Sequence, residues 1–519
     1  MQEFNIILRD ELQNGLVADP RAARNTNQMR GMTNLKPSPW GAVNCETPTY
    51  PLTGNQNVSW PYPQLFRGED VTIRAYAQTL HAVNESDWST ASITVYDSAD
   101  PGTALTISAS GAPAWRFASF QDCWFLTNGL CLIWSLPSNP DGKVLGTNSL
   151  QVTNLCQIDN RLVLCGVADT ASWLTGGRFQ TLFEVYKETV PGGHFAHEDM
   201  AFGTNWIVWS ELGGGSSDLP FHNMLMMLGV FGTARFDAMD TLLLHAIEQG
   251  DIGFSPAVHP GALLAVAPLG DDVIGFTAHG MTRFQREETR YRSEKVQDVG
   301  IMGRCALYST GREIVWLDAT KTLYRWMLGE GINWTHRGWF DAMVAETTMI
   351  AFDPHEVDFY IADTNTCFVL SITGLGGPFT IRPMSLYRDD AGTLVGTAKG
   401  LPGATPLTFR LVFETMDMNE RDNKFCSVLQ VQCNGVTGLG GHIAFRYSDQ
   451  DAFQEFATMS PANLESVIFP GVSFVDGRVI LQGTIGDDGC EIQQCEVRYQ
   501  SEGRRYRRGT KGVQQPGEA

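Results

Sequence analysis

The sequence predicts an all-β chain: a β-propeller of about six blades over residues 66–400, a β-sandwich over 401–500, an extended N-terminal arm and a short helical insertion. Two observations carry the propeller. Short β-branched and aromatic runs come in pairs around polar or Gly-containing turns, and the pairs recur. With turns at about 128, 168, 211, 279, 319 and 364, the gaps are roughly 40 to 45 residues except for the longer one between 211 and 279, which matches one four-stranded blade. A third observation, longer strand-like runs after about residue 405, carries the sandwich. Evenly spaced hairpins also suit one large sandwich or barrel, and that alternative stands beside the propeller.

In chain order, residues 1–65 are rich in Asn, Pro, Thr and Arg without an apolar period, which predicts an extended arm ordered by packing on something else. Arg21, Arg24, Arg30 and Trp40 are its candidate contacts. Strands begin near Val71 ("VTIRAYAQ") and Ile93 ("ITVYD"). The hairpins follow: "WFLTNGLCLIW" at 124, with Asn128-Gly129 suited to a two-residue turn, then "RLVLCGVADTASWL" at 161, "NWIVWSELGGG" at 205, "DVIGFTAHGMTRF" at 272, "GREIVWLDATKTLYRW" at 311 and "DFYIADTNTCFVLSI" at 358. Between 213 and 262, Asp240 before "TLLLHAIEQ" and Gly250 after it are helix start and stop signals, which predicts a helical excursion on a loop. Gly/Pro-rich segments near 395–405 mark a boundary before "TFRLVFETMDM", "KFCSVLQVQC" and "RVILQGTIG". Residues 501–519 form a basic tail, with Arg504, Arg505, Arg507, Arg508 and Lys511 as candidates for contact with a neighbouring subunit, an adaptor or DNA at a channel edge.

Composition narrows the classes. The formal net charge is −20, from 57 acidic and 37 basic residues, which argues against a protein that grips a phosphate backbone by counterion release. It leaves open a conduit whose wall does not clamp the polyanion. Eleven cysteines with no CxxC pair, several inside strand-like runs, predict reduced core thiols. No basic-plus-apolar leader and no apolar run of about 18 residues is present, so synthesis in a cytoplasm is expected.

The chemical motifs are weak. His194, His197 and Glu198 in "GGHFAHEDM" have no zinc-protease spacing and lie in a Gly-rich loop. "SADPGTAL" at 98 and "SDQDAFQEF" at 448 loosely match the Ser-x-Asp-x-Gly turn of sialidase-type propellers but read more simply as capped turns. "GVTGLGGH" at 435 is a Gly-rich turn with no helix after it to receive a phosphate. Asp271-Asp272 and Asp389-Asp390 are carboxylate pairs in turns, where solvated charge is the default. Neither a catalytic constellation nor a cofactor or metal set emerges, and the chain reads as non-enzymatic.

Two stretches carry a resemblance. "APLGDDVIGFTAHGMTRFQRE" (267–287) with "VQDVGIMGRCALYSTGREIVWLDATKTLYRW" (296–326), and the run "KFCSVLQVQC … HIAFRYSDQDAFQEF … DGRVILQGTIGDDGCEIQQCEVRY", resemble the tail nozzle or packaged-DNA-stabilisation proteins of short-tailed bacteriophages. The step "VGI" (Val299 to Ile301) is shorter than the family's V-x-x-x-G-I. The resemblance spans roughly 260–330 and 405–500 and implies a propeller subunit of a ring, hexameric in the family. Such a virion tail protein sits below the portal-proximal adaptor, meets distal needle, fibre or spike proteins, extends the channel for viral DNA and helps retain the genome. A tail-associated glycan hydrolase or lyase, or a carbohydrate-binding host-recognition module, is the alternative.

Overall fold

The computed structural model describes residues 3–20, 28–46, 48–49, 63–109, 114–120, 123–135, 143–169, 204–212, 224–225, 249, 251–288, 290–399, 407–413, 424–446, 454–455, 467–468, 472–474 and 476–501. It is all-β: the described residues hold many antiparallel strands and little helix, of which Asp10–Asn14 is a single short turn. The chain divides into two compact units, Thr47–Cys367 with Ile381–Leu401, and Met1–Glu46 with Phe368–Thr380 and Pro402–Ala519.

The larger unit is a succession of antiparallel meanders. "GREIVWLDATKTLYRW" is the middle of one of them. Glu313–Leu317 pairs with Thr322–Met327, Trp316 opposite Tyr324 with their rings stacked 5.3 Å apart, and Leu307–Ser309 and Ile332–Arg337 complete the sheet on either side. The preceding sheet runs Ala265–Leu269, Asp272–Phe276, Met281–Glu287, Arg290–Gln297. Ala265, Leu307 and Met349 each open a sheet and stand 42 residues apart. Earlier sheets run Gln64–Arg67, Thr72–Tyr76, Thr79–Val83, Thr90–Ser92, and then Arg116–Phe120, Cys123–Thr127, Leu132–Trp134, Val144–Thr147, with Val95–Asp97 added parallel to the last. Met349–Asp353 pairs with Asp358–Ala362, and Arg382–Arg388 with Leu394–Lys399.

In some sheets the outermost strand is the most exposed. Glu313–Leu317, second in its sheet, is buried at every position while Ile332–Arg337, the fourth, is partly exposed, and Arg290–Gln297, fourth strand of the preceding sheet, is charged and half its residues are exposed, as suits an edge. Neighbouring sheets pack face to face. One cluster joins Ile73, Leu80, Trp115, Leu126 and Ile133, another Val163, Ile207, Trp209, Val273, Phe284 and Tyr291. Each sheet thus gains cover from the next.

The same turn device recurs at the end of the second strand in several sheets. Thr127 accepts from the Gly129 amide at 3.0 Å, Thr277 from His279 and Gly280, Asp318 from Thr322 at 2.8 Å, and Asp363 from Asn365 and Thr366 at 2.7 Å. A short side-chain oxygen at that point satisfies amides that the turn would leave unpaired. The Asn128-Gly129 turn is longer than the two residues expected, since Thr127 pairs with Leu132, although Gly129 does take φ 91°.

Other sequence expectations are corrected. The runs at 161 and 205 are not separate hairpins: Arg161–Cys165 and Trp206–Trp209 lie side by side in one sheet between Asn154–Ile158 and Gly253–Pro256. Both runs are buried throughout, so each takes a strand neighbour on both sides, and counting them as two repeats overstated the period. Gly253–Pro256, placed within the helical excursion, is therefore a strand. Most of 213–248 lies outside the described residues, while Met224 and Leu225 are buried.

The smaller unit contains two sheets. In one, Glu491–Ser501 pairs with Lys424–Asn434 and also with Glu3–Leu8 and Gly41–Val43. In the other, Asp476–Ile485 lies between Thr408–Phe413 and Val436–Arg446, and Met29–Thr33 pairs with Thr408–Phe413. The described strands of the N-terminal segment read as an arm, Glu3–Leu8, Met29–Thr33 and Gly41–Val43, pair with the chain's own C-terminal strands. Backbone ladder pairing can order it where apolar periodicity is lacking. "GVTGLGGH" forms part of Val436–Arg446, bulged between Thr437 and Gly440 with Gly438 at φ 60°, a strand rather than a turn.

All eleven cysteines are free, and all but Cys45 and Cys433 are buried. Burial pushes Cys131, Cys156 and Cys426 up to about 12, against which hydrogen bonds and nearby arginines act only weakly. A thiol reagent at mildly alkaline pH is therefore expected to modify Cys45 and Cys433 first in the native protein, and all eleven after denaturation without reductant. Recovery of fewer thiols after denaturation would contradict the reduced core.

The last sheet of the larger unit is anchored by a buried ion pair. Arg388 donates from Nε and Nη2 to the two carboxylate oxygens of Asp353 at 2.9 and 2.6 Å, and the Asp353 side chain is fully buried. Asp353→Ala leaves the guanidinium without its fork partner and is expected to destabilise the protein by about 3–5 kcal/mol in urea unfolding. A loss under about 1 kcal/mol would show that the pair does not hold this sheet.

Candidate functional site

Seven strands of the larger unit, one from each successive sheet, line a single cavity of about 480 Å³: Gln64–Arg67, Arg116–Phe120, Asn154–Ile158, Ala265–Leu269, Leu307–Ser309, Met349–Asp353 and Arg382–Arg388. Each is the first strand of its sheet, so the meanders are arranged with their opening strands inward. The circuit is closed where the last sheet meets the first. There the Leu65 amide donates to Ser385 Oγ at 2.9 Å, and Leu65, Val83 and Val395 share a core with Trp88 and Tyr387. Between the first two sheets, Trp115 N donates to Gln64 Oε1 at 2.6 Å and Phe66 stacks on Phe117 at 5.4 Å.

Most lining side chains are apolar or aromatic, while polar and apolar groups share the exposed wall almost equally. In a chain of net charge −20, the described lining residues include Arg67 and Arg116 and no aspartate or glutamate. Their surroundings differ. Arg67 is neutralised: Nη1 donates to the Arg388 carbonyl, Nη2 to Asp390, and Nε lies 3.7 Å from Glu85. Its guanidinium also lies 5.9 Å from the centroid of the Tyr387 ring. Arg116 has no hydrogen-bond or ion-pair partner among the described residues. Its register partner on the next strand is Thr127, and the Thr127 carbonyl accepts at 3.3 Å from Nη2 of Arg304.

Arg304 is 9% exposed, and none of the described residues accepts from its Nε or Nη1. Burial, with the nearby charge of Arg116, lowers it to about 10, against opposition from the Cys305, Cys165 and Cys131 thiols. Sequence reading missed this pair. "MGR" and "AWRF" hold isolated arginines in strand-rich surroundings, with no spacing to link positions 116 and 304.

The sequence-stated candidates lie elsewhere. Arg504, Arg505, Arg507, Arg508, Lys511, Arg21 and Arg24, with His194, His197 and Glu198, lie outside the described residues. Arg30 donates to the Pro20 carbonyl and Trp40 is 67% exposed, both in the smaller unit. Asp97, just before "SADPGTAL", and Asp100 within it cap turn amides, and Thr103 donates to Asp100 at 2.7 Å. Three of the four carboxylates expected to be merely solvated are engaged: Asp272 binds Arg283 at 2.7 Å, Asp389 accepts from the Thr393 amide, and Asp390 pairs with Arg67, while Asp271 is exposed. No group of three or more His, Cys, Asp or Glu that could hold a metal occurs among the described residues, nor does a helix long and apolar enough to cross a membrane.

No protein-family model and no curated protein matches the chain. Among solved structures, it is similar to the extracellular domain of a hybrid two component system from B. thetaiotaomicron, at 9% identity and a TM-score of 0.26. That alignment covers 69% of this chain, which spans 39% of the other protein's length. A likeness of that size assigns neither fold nor function.

Tyr387 reports on the closure. Burial raises its phenol well above the ordinary 10.0, and the adjacent Glu85 charge raises it further, against weaker opposition from Thr72 and Arg67. A raised folded value means that the stabilisation is complete below 10.0 and is lost as the pH climbs through the folded value. Glu85→Gln is expected to bring the phenol down, seen as an earlier rise in tyrosinate absorbance on alkaline titration of the native protein. An unchanged titration curve would separate Tyr387 from Glu85.

Proposed function

We propose that this chain is a structural subunit of a short-tailed bacteriophage tail, a β-propeller bearing a C-terminal β-sandwich and assembling as a ring below the portal-proximal adaptor. In this reading the seven sheets around the cavity are seven blades, the last two-stranded among the described residues, and the two sheets of the smaller unit are the sandwich. The observation that carries it is the coincidence of two features in one stretch: residues 265–337, which hold one of the two parts of the resemblance to tail nozzle proteins, form two consecutive four-stranded meanders whose opening strands stand 42 residues apart, the length of one blade.

The cavity bears on where DNA would pass. At about 480 Å³ it has the size of a small-molecule site and cannot admit a duplex. The channel in this proposal therefore belongs to the assembly, formed between subunits. An acidic chain suits such a wall, because it lacks the dense phosphate-binding surface that would hold DNA back.

Assembly state tests the proposal. Light scattering or native mass spectrometry of the full chain is expected to show a closed ring of about six copies of the 57.2 kDa subunit, alone or with its adaptor. A chain that stays monomeric with the adaptor present and releases reducing sugar from host glycans would instead be a tail depolymerase.

A further inference from the structure

We propose that the cavity at the centre of the larger unit binds a small organic oxyanion, a carboxylate or a phosphate ester, with Arg116 as its direct partner and Arg304 as a positioning charge behind it. This goes beyond the structural role proposed above and does not depend on it.

The first ground is electrostatic. Two guanidinium-bearing residues share Thr127 as a neighbour: Arg116 on the cavity wall, paired with it in register, and Arg304, hydrogen-bonded to its carbonyl. Neither has a carboxylate partner among the described residues, although carboxylates elsewhere in this acidic chain engage Arg67, Arg283, Arg325 and Arg388. Two unneutralised like charges, one of them 9% exposed with two N–H groups unpaired, repel each other across a poorly solvated wall. An anion in front of Arg116 relieves that repulsion, and nothing neutral does.

The second ground is shape and chemistry. The volume lies within the roughly 300–1,000 Å³ of small-molecule sites, and Phe66, Phe117, Tyr308 and Tyr387 supply apolar surface to cover the body of a ligand. Gln157, exposed yet part of the lining, marks an opening to solvent and offers an amide to a hydroxyl or second oxygen. Guanidinium forks match the paired oxygens of carboxylate and phosphate. Arg67 is already committed to Glu85, Asp390 and the Arg388 carbonyl, so Arg116 is the available fork.

The test uses the full chain with sodium glucuronate and inorganic phosphate as separate probes and glucose as the neutral control, all at matched ionic strength. Calorimetry is expected to give saturable binding of at least one oxyanion at one site per chain, with a parallel rise in Tm, and nothing for glucose. Response to glucuronate alone assigns a carboxylate ligand and response to phosphate alone a phosphate ester. Arg116→Gln is expected to weaken binding by about ten- to a hundredfold. Arg116→Lys, which keeps the charge but loses the fork, should weaken it less, and it serves as the readable variant if the glutamine form does not fold. Absence of binding by both oxyanions, or equal binding by wild type and a folded Arg116 variant, overturns the proposal.

Discussion

A strand buried at every position must be covered on both faces, and much of the larger unit follows from that requirement. Cys123–Thr127, Arg161–Cys165, Trp206–Trp209, Glu313–Leu317 and Asp358–Ala362 have no exposed residue. A sheet built on such strands cannot stand with one face in water. It needs a second sheet on each side, and a chain of such sheets leaves two uncovered faces unless it closes on itself. Contacts between Gln64–Arg67 and Arg382–Arg388 remove those faces, which is why residues near 385 belong beside residues near 65. Exposure rises outward in the sheets that end in Thr90–Ser92, Arg290–Gln297 and Ile332–Arg337, and the charged Arg290–Gln297 presents an edge that resists further pairing.

The distribution of acid follows from the same plan. Interior strand positions have no room for an unpaired carboxylate, so aspartates collect at strand ends. There they cap turn amides, as at Asp318 and Asp363, or meet an arginine, as at Asp272 and Asp353. Charge that reads in the sequence as solvated excess is therefore partly structural. The innermost strands are the exception, where the charged groups at the cavity are cationic.

How much of this the sequence revealed depends on the range of the interaction concerned. The hairpins at 124–134, 272–284 and 314–326 are legible because pairing partners lie within about a dozen residues and the turn chemistry sits between them. The sheet containing Arg161–Cys165 was misread because its second and third strands are separated by forty residues, and apolar runs alone do not say which neighbour they choose. The pairing of Glu3–Leu8 with Glu491–Ser501 has no local signal at all. The same holds for the cavity: Arg67, Arg116 and Arg304 are single residues in unremarkable contexts, and the closure of the sheets brings them to one place.

The order in which the chain visits its two units has a consequence for biosynthesis. The path enters the larger unit at Thr47, leaves it after Cys367, returns for Ile381–Leu401 and leaves again. The strand nearest the N-terminus pairs with the strand nearest the C-terminus, so a nascent chain emerging from the ribosome carries Glu3–Leu8 unpaired until some 490 further residues have been made. During that interval an exposed ladder edge is open to the same segment on a neighbouring polysome, and premature termination anywhere before residue 491 strands it permanently. Chains lacking Glu491–Ser501 are thus expected to be cleared or to aggregate rather than to accumulate as a folded fragment.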